Sequence, residues 1–150
     1  MEDWSSGMRD SRDYLFMMMD ELVKLPIKRF LLPDTLGILN PLQCVEYMRL
    51  MVRRYPNTHF DFHAHNDYDL AVSNSLAAVL SGAKGLHVTV NGLGERCGNA
   101  PLASVQVILK DMFEAKTNIK EDRLNDISRL VEGYSGIAVA PNTPVVGDNV

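Results

Sequence analysis

The 150-residue sequence has only two cysteines, Cys44 and Cys97, far apart and in unlike contexts. That excludes a disulfide-stapled or cysteine-rich metal fold and leads us to expect reduced thiols in a cytoplasmic protein. Basic residues are in the minority: 15 Lys and Arg stand against 19 Asp and Glu, for a net charge of −4. Neither nucleic acid nor an anionic membrane is therefore an expected partner. No apolar run, Gly136 to Ala140 being among the longest, approaches the roughly 20 residues that span a bilayer. No basic-then-apolar segment opens the chain, so no secretory leader is expected. What remains, 46% hydrophobic and 23% charged residues, is the balance of one folded domain, enough for a core of its own and too short for two.

Helix-like and strand-like stretches alternate, which is the pattern of βα units on a parallel sheet. The apolar set Tyr14, Leu15, Met18, Met19, Leu22 and Val23 recurs at helical spacing and predicts a helix over about 13–24, stopped by Pro26. Arg29–Leu32 predicts a strand. Pro41 opens a helix to about Arg54, with Leu42, Val45, Met48 and Val52 expected inside. A strand over 59–65, a helix over 69–81 ended by Gly82, a strand over 86–90 and helices over 101–113 and 121–132 follow. The expected fold class is therefore α/β. Both an open doubly wound sheet and part of a (β/α)8 barrel fit, and a whole barrel needs about 250 residues.

Chemistry concentrates in three places. In Phe60-Asp61-Phe62-His63-Ala64-His65-Asn66-Asp67, strand alternation sends His63 and His65 to one face and Phe60 and Phe62 to the other. Two imidazoles converging at the carboxyl end of a parallel strand suit one metal ion, in the place where α/β folds bind ligands. The loop Asn91-Gly92-Leu93-Gly94-Glu95-Arg96-Cys97-Gly98-Asn99 follows a strand and precedes a helix. Its glycines are not spaced as a dinucleotide fingerprint. They let backbone amides approach an anionic or carbonyl ligand, and the Asn91 amide is a candidate oxygen ligand beside the histidines. At Pro33-Asp34-Thr35-Leu36-Gly37, Thr35 is a candidate donor to a substrate carboxylate, and a capping turn fits equally well.

Taken together, these motifs resemble the carboxyl half of the catalytic barrel of the 2-isopropylmalate, homocitrate and citramalate synthases. These belong to a superfamily of metal-dependent barrels that includes hydroxymethylglutaryl-CoA lyase. His63–Asp67 with Leu70–Asn74 is similar to the strand-seven signature, Asn91–Asn99 to that of strand eight and Pro33–Gly37 to the tip of strand six. Glu2-Asp3 resembles the acidic pair ending strand five. The resemblance implies a partial (β/α)8 TIM barrel of approximately strands five to eight, over residues 1–133, with 134–150 starting a post-barrel linker. It implies that His63, His65 and Asn91 hold a divalent metal (Zn²⁺ or Mn²⁺, with Mg²⁺ also a candidate). Thr35 would touch the 2-oxo acid, and Gly92, Gly94, Glu95 and Asn99 would lie by acetyl-CoA and substrate. Glu2, Thr35 and Glu95 are the implied catalytic residues.

The implied activity is an acyltransferase's Claisen condensation of acetyl-CoA with a 2-oxo acid, of the kind used in leucine and other amino-acid biosynthesis. Two departures qualify it. Position 97, a small residue in the synthases, is Cys97; the lyases carry a catalytic cysteine in a Gly-Cys-Pro setting, which is not the setting here. The Arg-Asp-Gly motif of the family's first strand has no counterpart, since Arg9-Asp10 is followed by Ser11 and reads as a solvated helix terminus. The chain alone is thus expected to be inactive, and to form a homo-oligomer or associate with a chain supplying the other half barrel. A carbon–carbon lyase and a non-catalytic half-barrel remnant or interaction subunit are the alternatives.

Overall fold

Every strand in this chain is parallel to its neighbour, and every connection between strands is a helix. The computed structural model describes residues 1–150. Two short helices, α1 (Trp4–Asp10) and α2 (Arg12–Leu22), lead into β1 (Phe30–Asp34), α3 (Pro41–Arg54), β2 (Phe60–Ala64), α4 (Ala71–Leu80) and β3 (Gly85–His87). A 3-10 turn at Val90–Gly92 then precedes α5 (Leu102–Phe113), and a second, at Glu121–Arg123, leads into α6 (Leu124–Ser135). The three strands lie in the order β1-β2-β3, with Leu32 opposite Phe62 and His63 opposite both Pro33 and His87. No helix is long and apolar enough to cross a membrane.

Period-two alternation divides the sheet into two unlike faces. Phe30, Leu32, Phe60, Phe62 and Ala64 are buried under the helices. There they join Trp4, Met8, Met19, Met48 and Met51 in the main core. Trp4 sets the contact between the first helix and the sheet: its ring meets Tyr47 and Phe62 edge-on, each at 6.3 Å. Helix α3 starts on a complete capping box. Asn40 Oδ1 accepts from the Gln43 amide at 2.9 Å, Gln43 Oε1 accepts from the Asn40 amide at 3.1 Å, and Pro41 occupies the first turn.

Four expectations need correction. The sheet has three strands where about four were expected; the segment before α1 supplies only a bond from the Met1 amino group to the Leu31 carbonyl. Helix α1 was not foreseen, because Ser5, Ser6 and Gly7 are weak helix formers; burial of Trp4 and Met8, one turn apart, holds it. The inner face of α3 is rotated from the expected one: Cys44, Tyr47, Met48 and Met51 are buried, Val45 and Val52 are only partly so, and Leu42 is 82% exposed in the first turn. The last strand ends at His87. Beyond it Thr89 bridges to Pro101 and Asn91 turns left-handed at φ 57°; β3 has no neighbour on its far side to extend the ladder.

The expected boundary at residue 133 falls inside the last turn of α6, which runs to Ser135. The tail then folds back, and Val146 packs with Ala103 and Leu124. The rotated face of α3 has a direct test in urea unfolding. Met48→Ala should lose about 2–5 kcal/mol, whereas Leu42→Ala should stay within roughly 0.5 kcal/mol of the parent.

Candidate metal and substrate site

The face of β2 turned away from the apolar core carries the polar residues. His63 and His65 point to the same side, with ring centroids 4.9 Å apart and planes at 83°. Their Nε2 atoms are 3.3 Å apart. Two nitrogens bound tetrahedrally to one ion, with bonds of about 2.0–2.1 Å, stand roughly 3.3 Å apart. Burial, and then the neighbouring charges of His65 and His87, hold the His63 pKa below its usual value, which keeps the ring neutral and able to ligate at ordinary pH.

The donor set in this chain is partial. Both Nδ1 atoms are buried with no hydrogen-bond partner, although a ligating imidazole ordinarily has that proton held by an acceptor. No three His, Cys, Asp or Glu side chains converge on one cation position. The pair therefore fits two positions in a cation's shell and leaves the others to be supplied.

Asparagine 91 does not join the pair. Its amide is engaged by α6, with Nδ2 donating to the Ser128 carbonyl at 2.9 Å and Oδ1 accepting from Ser128 Oγ at 2.6 Å. The residue beside the histidines is Asn99, expected among the substrate-binding residues. Its Nδ2 lies 3.3 Å from His63 Nε2 and donates to the Ala64 carbonyl at 3.1 Å. Sequence spacing favoured Asn91 because it opens the loop, whereas the loop doubles back and returns its far end to β2, where His65 bridges to Asn99.

The glycines make that return path. A Cβ on Gly94 would sit 2.0 Å from Asn99 Oδ1, and one on Gly98 would sit 2.0 Å from the Gly92 carbonyl oxygen. Their first effect is to let the loop pack on itself. The amides of Gly92, Leu93, Gly98 and Asn99 are spent within the loop and its flanks, while those of residues 94–97 meet no acceptor in the chain and stay available to a ligand. Glu95 is mostly exposed, 3.4 Å from the Arg96 guanidinium.

Thr35 Oγ1 accepts from the Asp3 amide at 2.9 Å and its O–H remains free to donate; the helix that follows, α3, is capped by Asn40 and not by Thr35. The buried Asp34 carboxylate receives the Ile38 and Leu39 amides at 3.0 and 3.1 Å. Glu2 is exposed, one residue from that Asp3 contact. Arg9 and Asp10 pair with each other in solvent at the end of α1.

Three groups escaped the sequence reading. His87 stands 5.9 Å from the His63 ring, where the expected strand alternation would have put it. Asp61, at the other end of β2, is buried beside His59 at 2.8 Å, and Gly85 leaves room for it. Arg96 forms a bidentate pair with Asp67 at 2.7 and 2.9 Å, a contact across 29 residues that no local pattern signals.

Three parallel strands, each leading through a loop into a helix, with His63 and His65 at the carboxyl end of the central one, form a segment of an α/β scaffold of stacked βα units. The chain belongs to the HMGL-like family, whose profile matches residues 4–131. It is 41% identical over 141 residues to a probable 2-isopropylmalate synthase of Methanopyrus kandleri, covering 94% of this chain and 28% of that protein. It is 43% identical over 142 residues to a homocitrate synthase of Saccharolobus islandicus, covering 95% and 31%. The chain thus spans less than a third of the length of these curated relatives. Among solved structures it superposes on the Bacillus subtilis HMG-CoA lyase with a TM-score of 0.75 at 25% identity, covering 83% of this chain and 43% of that one. An Acinetobacter baumannii HMG-CoA lyase, solved with coenzyme A and 3-methylmalate, matches with a TM-score of 0.72 at 28% identity, covering 84% and 43%.

The two thiols should behave oppositely. Cys44 is fully buried, donates to the Asn74 carbonyl, and burial pushes its pKa up to about 12; Cys97 is exposed. A chromogenic thiol reagent at pH 8 should titrate one cysteine in the native protein and two in denaturant.

Proposed function

We propose that this chain is the carboxyl-terminal half of the catalytic barrel of a 2-isopropylmalate or homocitrate synthase-type acyltransferase. Under this reading β1, β2 and β3 are strands six, seven and eight of the barrel. The observation that carries it is the 3.3 Å approach of the His63 and His65 Nε2 atoms at the end of the central strand. Identity of 41–43% to synthases, over nearly the whole chain, supports the same assignment.

In this reading His63 and His65 hold a divalent cation, Zn²⁺, Mn²⁺ or Mg²⁺, and Asn99 takes the neighbouring place that Asn91 was expected to fill. Lewis-acid polarisation of a 2-oxo acid carbonyl is the chemistry such a cation supplies when bound. Thr35 donates its free hydroxyl proton to the 2-oxo acid carboxylate. The unspent amides of residues 94–97, beside Gly92 and Gly94, receive acetyl-CoA, with Glu95 as the adjoining carboxylate. Glu2 contributes a carboxylate at the tip of the preceding strand. Cytoplasmic residence is part of the same proposal.

A lyase is the second reading, favoured by the likeness to solved HMG-CoA lyases and by the exposed Cys97 thiol. Higher identity to the synthases and the Glu95-Arg96 pair, with no proline after Cys97, favour the synthase. Alanine at Cys97 in a complete, reconstituted enzyme abolishes a lyase and spares a synthase.

Both β1 and β3 are sheet edges. The chain therefore needs strands from a second copy or from a chain carrying the other half barrel. Small-angle scattering should show association; a compact monomer would contradict this. Without the Arg-Asp-Gly residues the chain lacks a charge-stabilising arginine, a kind of loss that can cost about 10²–10³ in rate. Incubated alone with metal, acetyl-CoA and a series of 2-oxo acids, it should release no CoA above background, and sustained turnover would refute the assignment. Zn²⁺ should raise the melting temperature of the parent but not of His63→Ala; equal shifts would leave the interaction-subunit reading standing in its place.

A further inference from the structure

The far limb of the glycine loop returns to the imidazole pair, and a long-range side-chain contact of Arg96 helps to hold it there. Arg96 sits at φ 53°, a left-handed conformation that disfavours any residue with a Cβ. Its side chain accounts for that conformation. Nε and Nη2 donate to the two Asp67 carboxylate oxygens at 2.7 and 2.9 Å, and Nη2 also donates to the Thr35 carbonyl at 2.7 Å. One guanidinium thus joins the segments that follow all three strands.

The acceptor is seated as carefully as the donor. A Cβ on Gly37 would fall 2.7 Å from Asp67 Oδ2 and 3.0 Å from the Asp67 amide, so the Asp67 seat requires glycine there. Two residues beyond Arg96, the Gly98 carbonyl accepts from the Asn66 amide at 2.9 Å, and the Asn99 amide group arrives 3.3 Å from His63 Nε2. The near limb is fixed independently by Asn91 and Ser128. The far limb, which carries Asn99, is tethered by Arg96 and by Asn99's own bond to the Ala64 carbonyl.

We infer that Arg96 is a positioning residue: by clipping the loop to Asp67 and the Thr35 carbonyl it sets Asn99 against the His63–His65 pair. The consequence for ligand binding rests on the reading of that pair as cation ligands, whereas the clip itself does not. A lysine cannot replace it, because an ammonium lacks the planar fork that engages both carboxylate oxygens and a third acceptor together.

The test uses the full chain as Arg96→Lys, Arg96→Gly and Asp67→Asn, with two readouts. Hydrogen exchange at the Gly98 and Asn99 amides should quicken at least tenfold in all three variants, while β2 and α3 amides keep their parent rates. Arg96→Gly relieves the backbone conformation and so separates the clip from strain. Titration with Co²⁺ should then show a ligand-field band that is shifted, with at least tenfold weaker binding, in the variants. Unchanged loop exchange in Asp67→Asn and Arg96→Gly overturns the clip. Faster exchange with an unaltered cobalt spectrum and affinity overturns its role in positioning Asn99. If the parent chain takes up no Co²⁺, the cation reading fails, and the exchange rates still decide the clip.

Discussion

The arrangement depends on the alternation of side chains along five residues of β2. Phe60, Phe62 and Ala64 face the helices and anchor the sheet in its core, and the same backbone turns Asp61 and His63 the other way. Neither set can move without the other, since a slip of one residue would drive imidazoles into the core and phenylalanines into water. The ladders to β1 and β3 fix that register from both sides. Stability and chemistry are thus two faces of one strand.

Around that strand the polar groups are held by short links between segments distant in sequence. Asn74 donates to the Leu39 carbonyl and joins α4 to the turn before α3. Asn66 Oδ1 receives the Ala71 amide at the start of α4, and Asn91 ties the glycine loop to α6. Each of these asparagines lies in a motif that the sequence singles out, and each proves to be a brace between elements. Motif residues near a reactive centre often hold the frame instead of touching a ligand, and here the asparagines divide in that way: Asn99 faces the imidazoles while Asn66, Asn74 and Asn91 hold the scaffold.

Legibility in the sequence followed the range of the interactions. The α/β class, the α3 boundaries and the paired histidines were readable because each rests on local signals: a 3.6 period for the helix, a proline at its first position and a period of two for the strand. Helix α1 was missed because only tertiary burial of Trp4 and Met8 supports it. The rotation of α3 was missed because Leu42 is apolar but lies in the first turn, so hydrophobicity alone misled. Asn91 and Asn99 bracket the same loop, and only its folded path shows which end returns to the histidines. Arg96 and Asp67 each lie in a motif the sequence singles out, but their pairing is a contact across 29 positions that no local pattern signals.

Asp61 gives the polar side of the sheet a character of its own. Its carboxylate, braced by His59 and accommodated by Gly85, continues downward the polar column that His63, His65 and His87 begin above. The buried members of that column, Asp61 and His65, are met by polar neighbours, where most barrel interiors are filled by branched apolar side chains. Any group that meets the more accessible members of the column, His63 and His87, must bring hydrogen-bonding partners of its own, so recognition there turns on polarity match and not on greasiness.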